Sequence, residues 1–357
     1  MKKLRSLPII LFLIAIWLPM LQMSFRFHDE FEDTENRDLA AVPEWEKTPF
    51  SNLSHQYEIY IGDHFGFRTD LIHWNSFLRV HLLGTSPIPT VMLGKDPWLF
   101  YCSEAIADGN SINDHMGSIP LDDSELEKLR LRLEDNNRRF RERGITYIVA
   151  IAPNKNTIYP EYLPDRIARY RSKTRLDQFI DYMGTHSGFR VVDLRNALLR
   201  GKGSFPVYLQ TDSHWNTYGA YLGYCEIMKR TQEYYPEAEP VKLAGPVAVE
   251  RSNPGGDLAH MLLLQNFLGE GNNTRFAIDT GPRSFIFRKI IFRHDSFGDD
   301  FYPFLSWHFE KIIGRPPFAP FQFEEIFGEK PEIVLHLFAE RYLTQAIQDD
   351  FFYREGA

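Results

Sequence analysis

The chain has 357 residues, 43% hydrophobic and 25% charged, an ordinary globular composition with room for one sizeable core. A formal net charge of −8, with no long basic run beyond the first few residues, argues against nucleic acid as a partner. The two cysteines, Cys102 and Cys225, fit neither a disulfide framework nor a zinc site, and whether they pair stays open.

Lys2, Lys3 and Arg5 precede an apolar run from Leu7 to Met23, about 17 residues, at the short end of what spans a bilayer as a helix. No small-x-small cleavage site follows, so the run reads as an uncleaved anchor. The leading positive charges put the N-terminus in the cytoplasm and the rest outside, which in a bacterium is the periplasmic face of the inner membrane. Residues 1–25 are thus expected as a signal-anchor, 26–49 as an acidic juxtamembrane spacer, and 50–357 as the functional domain. Leu71, Trp74, Phe77 and Leu78 recur with helical spacing. His64 and His73 stand alone, without a ligand cluster, and read as structural. Gly94 to Tyr101 reads as a turn followed by a strand.

Ser124 with Glu127 has the spacing of a capping box, and Leu126, Leu129, Leu133 and Phe140 share one face of the helix it would start. Gly144 ends that helix, and Ile145 to Ile151 is a near-continuous β-type run of the kind buried on both faces in parallel sheets. The pattern repeats, with a helical stripe at Leu176, Phe179, Ile180 and Met183 and a strand at Phe189–Asp193. Further strands are expected at Phe285–Phe292 and Glu332–Phe338. Strands alternating with helices predict an α/β sandwich with a mostly parallel sheet.

Two stretches carry chemistry. In Asp212-Ser213-His214-Trp215-Asn216, an Asp and a His two residues apart on extended backbone project to one side, which suits a carboxylate orienting an imidazole. Asn216 or Thr217 can N-cap a helix over Tyr218–Met228. The structural alternative is that Asp212 caps a turn and His214 packs on Trp215. In Ile290-Ile291-Phe292-Arg293-His294-Asp295-Ser296-Phe297-Gly298, an apolar strand ends and Ser296 emerges at its C-terminal edge, where ligand crevices of open α/β sheets lie. A serine hydroxyl becomes a nucleophile when a nearby base takes its proton, and a carboxylate-oriented histidine is the usual base. A metal-dependent phosphoesterase built on Asp212, His214, His294 and Asp295 is the rival chemistry, although their spacing matches no standard metal motif.

These blocks, with Gly66-Phe67-Arg68 and Trp98-Leu99-Phe100 upstream, resemble the SGNH-hydrolase-like domain of the alginate O-acetyltransferase family (AlgJ/AlgX type) over roughly residues 50 to 345. The resemblance implies a three-layer sandwich preceded by one N-terminal transmembrane helix. It also implies acetyl transfer or deacetylation of a polysaccharide in the periplasm through an acyl-serine, with Ser296 as nucleophile, His214 as base and Asp212 as its orienter. In ordinary SGNH esterases the serine block comes first and the Asp–His block last. Here the order is reversed, which is compatible with a triad defined by geometry. The oxyanion donors do not carry over from those esterases, and the Ser296 N–H and Asn154 are the candidates. Arg341, in Glu340-Arg341-Tyr342, resembles a block of the family, with a structural salt bridge of Glu340 as the alternative. Trp215 either lines an acceptor groove or packs beneath the site.

The expected partners are an exported polysaccharide as acceptor, the inner membrane, and a separate membrane-bound acyltransferase as acetyl donor. No nucleotide-binding glycine loop appears, and no cofactor or metal is expected. A non-catalytic scaffold of an export complex and a carbohydrate acetylesterase are the alternatives.

Overall fold

The structure, a computed structural model, describes residues 7–29, 38–44, 49–102, 110–167, 173–245, 247–252, 254–278, 285–318, 320–343 and 345. It divides into two compact units, one of Met1–Pro87 with His260–Leu264 and one of Ile88–Ala259 with Gln265–Ala357.

In the first unit, helix α1 (Leu7–Phe25) is long and apolar enough to cross a membrane. Helices α2 (Phe50–His64) and α3 (Arg68–His81) meet at a turn where Phe67 is left-handed, with φ 62°. Gly66 is needed there, because a Cβ would fall 2.1 Å from the Pro19 carbonyl oxygen. The helix expected from Leu71, Trp74, Phe77 and Leu78 forms, but that stripe is not its buried face. Leu71, Trp74 and Leu78 are exposed, while Thr69, Asp70, His73 and Ser76 are buried. Polar contacts hold the inward face: His28 Nε2 donates to Asp70 at 2.9 Å and His73 Nδ1 to the Leu263 carbonyl at 2.7 Å. His64 donates to the Ala40 carbonyl, so both lone histidines are engaged with backbone.

The second unit opens with an antiparallel ribbon, β1 (Val91–Leu93) and β2 (Leu99–Tyr101), followed by α4 (Ser111–Met116) and α5 (Asp123–Arg141). The capping box of α5 is not Ser124 with Glu127. Asp122 is the N-cap: its carboxylate accepts from Glu125 N at 2.8 Å while Glu125 accepts from Asp122 N at 2.9 Å. Glu127 is instead bound by Arg130 and Tyr182. Then come β3 (Thr146–Ala152), α6 (Lys155–Ile158), α7 (Arg175–His186), β4 (Val192–Asp193), α8 (Arg195–Lys202) and α9 (Thr217–Gln232). The rest of the chain forms β5 (Ala248–Ser252), α10 (Asp257–Met261, of which His260 and Met261 belong to the first unit), β6 (Glu270–Arg275), β7 (Phe287–His294), α11 (Tyr302–Leu305), β8 (Phe309–Arg315), α12 (Phe323–Glu329) and β9 (Ile333–Ala339).

The central sheet runs β4-β3-β9-β7-β8, and all four pairings are parallel. Because side chains alternate along a strand, β3 serves two cores. Ile148 and Ala150 pack with Leu198, Tyr224 and Phe301 on one face, and Tyr147, Val149 and Ile151 with Leu129, Phe179 and Phe323 on the other. The result is the expected three-layer α/β sandwich. Parallel register brings the C-terminal ends of β3, β7 and β9 to one edge, and the loops after Ala152, His294 and Ala339 lie there side by side. No disulfide joins Cys102 and Cys225.

Candidate active site

The backbone of the Asp–His block is a closed loop and not the extended strand its spacing predicts. Tyr208 and Trp215 form an isolated antiparallel bridge, Leu209 N donates to the His214 carbonyl and Asn216 N to that of Val207. Within the loop, Asp212 Oδ1 accepts from His214 N at 2.9 Å, an Asx-type turn that folds the imidazole back over the carboxylate. Asn216 ends the loop as N-cap of α9, accepting from Gly219 N, while its amide donates to the Pro206 and Asn272 carbonyls. The Asp–His block therefore makes the turn and also presents the side chains.

His214 Nδ1 lies 2.7 Å from Asp212 Oδ1, and its Nε2 lies 2.7 Å from Ser296 Oγ. In the neutral ring, with the proton held on Nδ1 by the carboxylate, Nε2 is left to accept from the serine hydroxyl. Burial by itself would push the imidazole down. Hydrogen bonds to Asp212 and Asp257, and their charges, overcome it and hold the ring up at about 9. Burial likewise opposes ionisation of Asp212, but bonds from the His214 ring and from the Asp257 and His214 amides bring it down to about 2. Ser296 follows β7 at the sheet's C-terminal edge and is exposed.

The neighbouring candidates have other work. Asp295 accepts from Phe297 N at 3.0 Å and from Ala339 N at 2.8 Å, tying the serine turn to the end of β9. His294 bonds the Asp295 carbonyl through Nδ1 and the Tyr302 hydroxyl through Nε2. The four ligands of the phosphoesterase alternative therefore do not converge. Among the described residues, the group whose ligand atoms lie within 4.8 Å of one another is Asp212, His214 and Asp257. A cation there would compete for the Nδ1 position that Asp212 occupies.

Asn154 sits at the adjacent strand end, buried, donating its N–H to Glu340 Oε2 and accepting from Arg341 N through Oδ1. Glu340 also accepts from Thr157 Oγ1, so it serves hydrogen bonds between the β3 and β9 loops. Arg341 is buried, its guanidinium over the rings of Phe297 and Tyr342 and near the Asp295 charge. Trp215 does not line a groove. It is 1% exposed, edge-on to Phe297 at 5.1 Å and stacked on Phe301 at 5.5 Å, a floor beneath the His214–Ser296 pair.

Four residues at the site went unread in the sequence. Asp257 N donates to Asp212 Oδ2 at 2.9 Å, and the Asp257 carboxylate accepts from Ser213 N and Oγ and lies 3.5 Å from His214 Nδ1. Gly256 lies against Asp212, and a Cβ there would fall 2.3 Å from the Asp212 Cβ. Glu270 accepts from the amides of Gln210 and Thr211. Lys155, buried, donates to the carbonyls of Leu99, Gln210 and Asp212. Burial pushes its ammonium down to about 7 against the charges of Glu270, Asp212 and Asp257. The Gly255-Gly256-Asp257 string was the one local signal available, as a tight turn with a carboxylate.

Comparison with known proteins agrees with this architecture. Residues 91–277, just over half of the chain, match the family described as SGNH hydrolase-like domain, acetyltransferase AlgX. Asp212 and His214 fall inside the match, and Ser296 lies beyond it. A relative from Pseudomonas syringae pv. tomato, named probable alginate O-acetylase AlgJ, is 26% identical over 239 residues, covering 63% of this chain and 58% of its own. One of the same name from Azotobacter vinelandii is 25% identical over 295 residues, covering 72% and 71%. The chain thus spans little more than half the length of the first of these. The solved structure of Bacillus cereus PatB1 superposes with a TM-score of 0.51 at 14% identity, over 74% of this chain and 99% of that one, which speaks to fold. A matched family domain, the parallel sandwich and an Asp–His loop that precedes the serine agree with one another: the chain belongs to the SGNH hydrolase-like family of the AlgX acetyltransferase type.

Proposed function

We infer that this chain is a membrane-anchored O-acetyltransferase that modifies an exported polysaccharide through a Ser296–His214–Asp212 triad. The observation that carries the reading is the continuous path from Asp212 Oδ1 through the His214 ring to Ser296 Oγ, with 2.7 Å at each step. Ser296 Oγ attacks the carbonyl carbon of an acetyl donor as its proton passes to His214 Nε2. The donor's leaving oxygen takes that proton and departs, leaving acetyl-Ser296. A sugar hydroxyl then gives its proton to His214 and attacks the acetyl carbon, and Ser296 leaves with the proton restored. In this reading the Ser296 N–H, at the start of the turn after β7, donates to the developing oxyanion. Asp212 stays ionised throughout and holds the imidazolium.

In this reading residues 1–25 anchor the chain, 26–49 act as spacer and 50–357 form the catalytic domain on the periplasmic face. Relatives named probable alginate O-acetylase support a uronate-containing polymer as acceptor. The acetyl donor is a separate membrane-bound acyltransferase. A carbohydrate acetylesterase is the second reading, because an exposed Ser296 leaves the acyl-enzyme open to water.

Incubating the full chain with 4-nitrophenyl acetate and mapping peptides by mass spectrometry should place an acetyl group on Ser296, absent in Ser296→Ala. An unmodified Ser296 in the wild type would refute the mechanism. Adding a polymannuronate oligosaccharide separates the two readings: acetylated oligosaccharide indicates transferase, and acetate alone indicates esterase.

A further inference from the structure

Lys155 and Glu270 are buried ionisable side chains that no step of the proposed chemistry uses. Both reach the same short piece of backbone, residues 210–212, from opposite kinds of peptide group. Lys155 Nζ meets three carbonyl oxygens, Leu99 at 2.6 Å, Gln210 at 2.7 Å and Asp212 at 2.9 Å. The rings of Trp98 and Phe100 lie 5.0 and 5.3 Å from the same nitrogen. Glu270 meets the donors: Gln210 N at 2.6 Å, Thr211 N at 2.9 Å, Thr211 Oγ1 at 3.0 Å, with Asn272 N at 2.9 Å. Three carbonyls match the three N–H bonds of an ammonium, and four donors match the lone pairs of a carboxylate.

We propose that Lys155 and Glu270 are positioning residues that clamp the 210–212 backbone between a cation and an anion, fixing where Asp212 meets His214. The proposal rests on the triad reading given above. Burying two charges is expensive, and apolar side chains would fill the same space with less desolvation. What an apolar pair lacks is the ability to hold carbonyls and amides of one loop at once. The loop needs such a hold because it contributes one bridge, Tyr208 with Trp215, and no strand of the central sheet. A shift of about 1 Å in a catalytic group costs on the order of 100-fold in rate.

The charged groups facing Lys155 are Glu270, Asp212 and Asp257, and this gives a test whose sign separates positioning from simple charge. With its ammonium pushed down to about 7, Lys155 is largely neutral where His214 titrates near 9, so charge acting through space would leave the His214 pKa unchanged or slightly raised in Lys155→Met. Loss of the grip on Asp212 would lower it, because the carboxylate that holds the proton would drift. We expect the full-length variant, assayed with 4-nitrophenyl acetate above pH 9 where the wild-type base is neutral, to show kcat about 100-fold lower with KM within about twofold. Its acid limb in the pH profile should move down. A kcat within about threefold of wild type at that pH, or a limb that does not move down, would overturn the proposal. If Lys155→Met does not fold by circular dichroism, Glu270→Gln decides on the same kcat and KM criteria, because its amide N–H atoms would face backbone N–H donors. Wild type and Ser296→Ala run alongside. A wild type without acetyl-Ser296 would defeat the triad reading, whereas acetylation at wild-type rate in the variants would defeat only the clamp.

Discussion

Replacing Asp212 by Asn keeps the shape of the loop and removes the charge that holds His214 up at about 9. The amide cannot satisfy every contact of the carboxylate, which accepts from His214 N and Nδ1 on one oxygen and Asp257 N on the other. Whichever way it turns, the imidazolium loses an ionic partner. A fall of the His214 pKa from about 9 toward its ordinary 6.5 corresponds to about 3 kcal/mol of lost imidazolium stabilisation, or on the order of 100-fold in a rate whose transition state carries that imidazolium. The same fall makes more of the base available at lower pH. Near pH 6.5 about 0.3% of the wild-type imidazole is neutral, against about half in the variant, and the two effects nearly cancel. The deficit should therefore be small near pH 6.5 and widen to about 100-fold above pH 9. Asp257, 3.5 Å from Nδ1, will retain part of the shift and reduce both figures. The assay is kcat/KM for 4-nitrophenyl acetate from pH 5.5 to 10. A deficit independent of pH, with the acid limb still near 9, would refute the assignment of Asp212 as the orienting charge.

Gly256→Ala places a methyl 2.3 Å from the Asp212 Cβ and 2.6 Å from its Oδ2, so the carboxylate must move. We expect activity to fall about 10- to 100-fold with a stability loss under about 2 kcal/mol, read by kinetics and urea melts. Trp215→Ala empties the floor under Phe297 and Phe301 and should destabilise by about 3–5 kcal/mol while leaving KM for an oligosaccharide acceptor unchanged. A selective rise in that KM would mean that Trp215 contacts acceptor after all. The Asp212–His214 pair should also mark stability against pH. The folded pKa of His214 is raised, so its contribution is complete below 6.5 and is lost as pH rises through about 9. That of Asp212 is lowered, so its contribution is present above 3.8 and is lost as pH falls through about 2. Denaturation of wild type and Asp212→Asn should differ most between about pH 4 and 6.5, by up to about 3 kcal/mol counted once for the pair, and the gap should narrow above pH 9 to what the Asp257 and His214 amides contribute to the carboxylate. A gap of undiminished size at pH 10 would mean that the His214 charge does not contribute to it.

What was legible in the sequence followed from how locally each feature is determined. The stripe of α5 and the apolar runs of β3, β7 and β9 were readable because burial on two faces leaves continuous β-branched and aromatic segments. The strand expected at Phe189–Asp193 shrinks to Val192–Asp193, and Phe189 instead stacks on Tyr147. In α3 the apolar stripe misled, since paired polar groups hold the buried face. At the site, Asp212, His214 and Ser296 could be found from chemistry and placement. Lys155 and Glu270 could not, and Gly256 and Asp257 left only a tight-turn string, because each acts across some 45 to 60 residues of chain and leaves no periodic trace. The sharpest case is the choice between two look-alike pairs. Asp212 with His214 and His294 with Asp295 have the same composition, and both flank the serine in space. What separates them is whether the local turn brings the histidine ring to the carboxylate. Asp295 has one amide ahead of it and one on β9, one on each oxygen, while the His294 ring bonds the Asp295 carbonyl and Tyr302. Asp212 also takes two amides, but the Asx turn adds the imidazole to the same oxygen, so its charge stays coupled to a ring that reaches Ser296. A carboxylate becomes an orienter where the local turn delivers a histidine to an oxygen that backbone has only half filled, and that depends on backbone geometry more than on residue type.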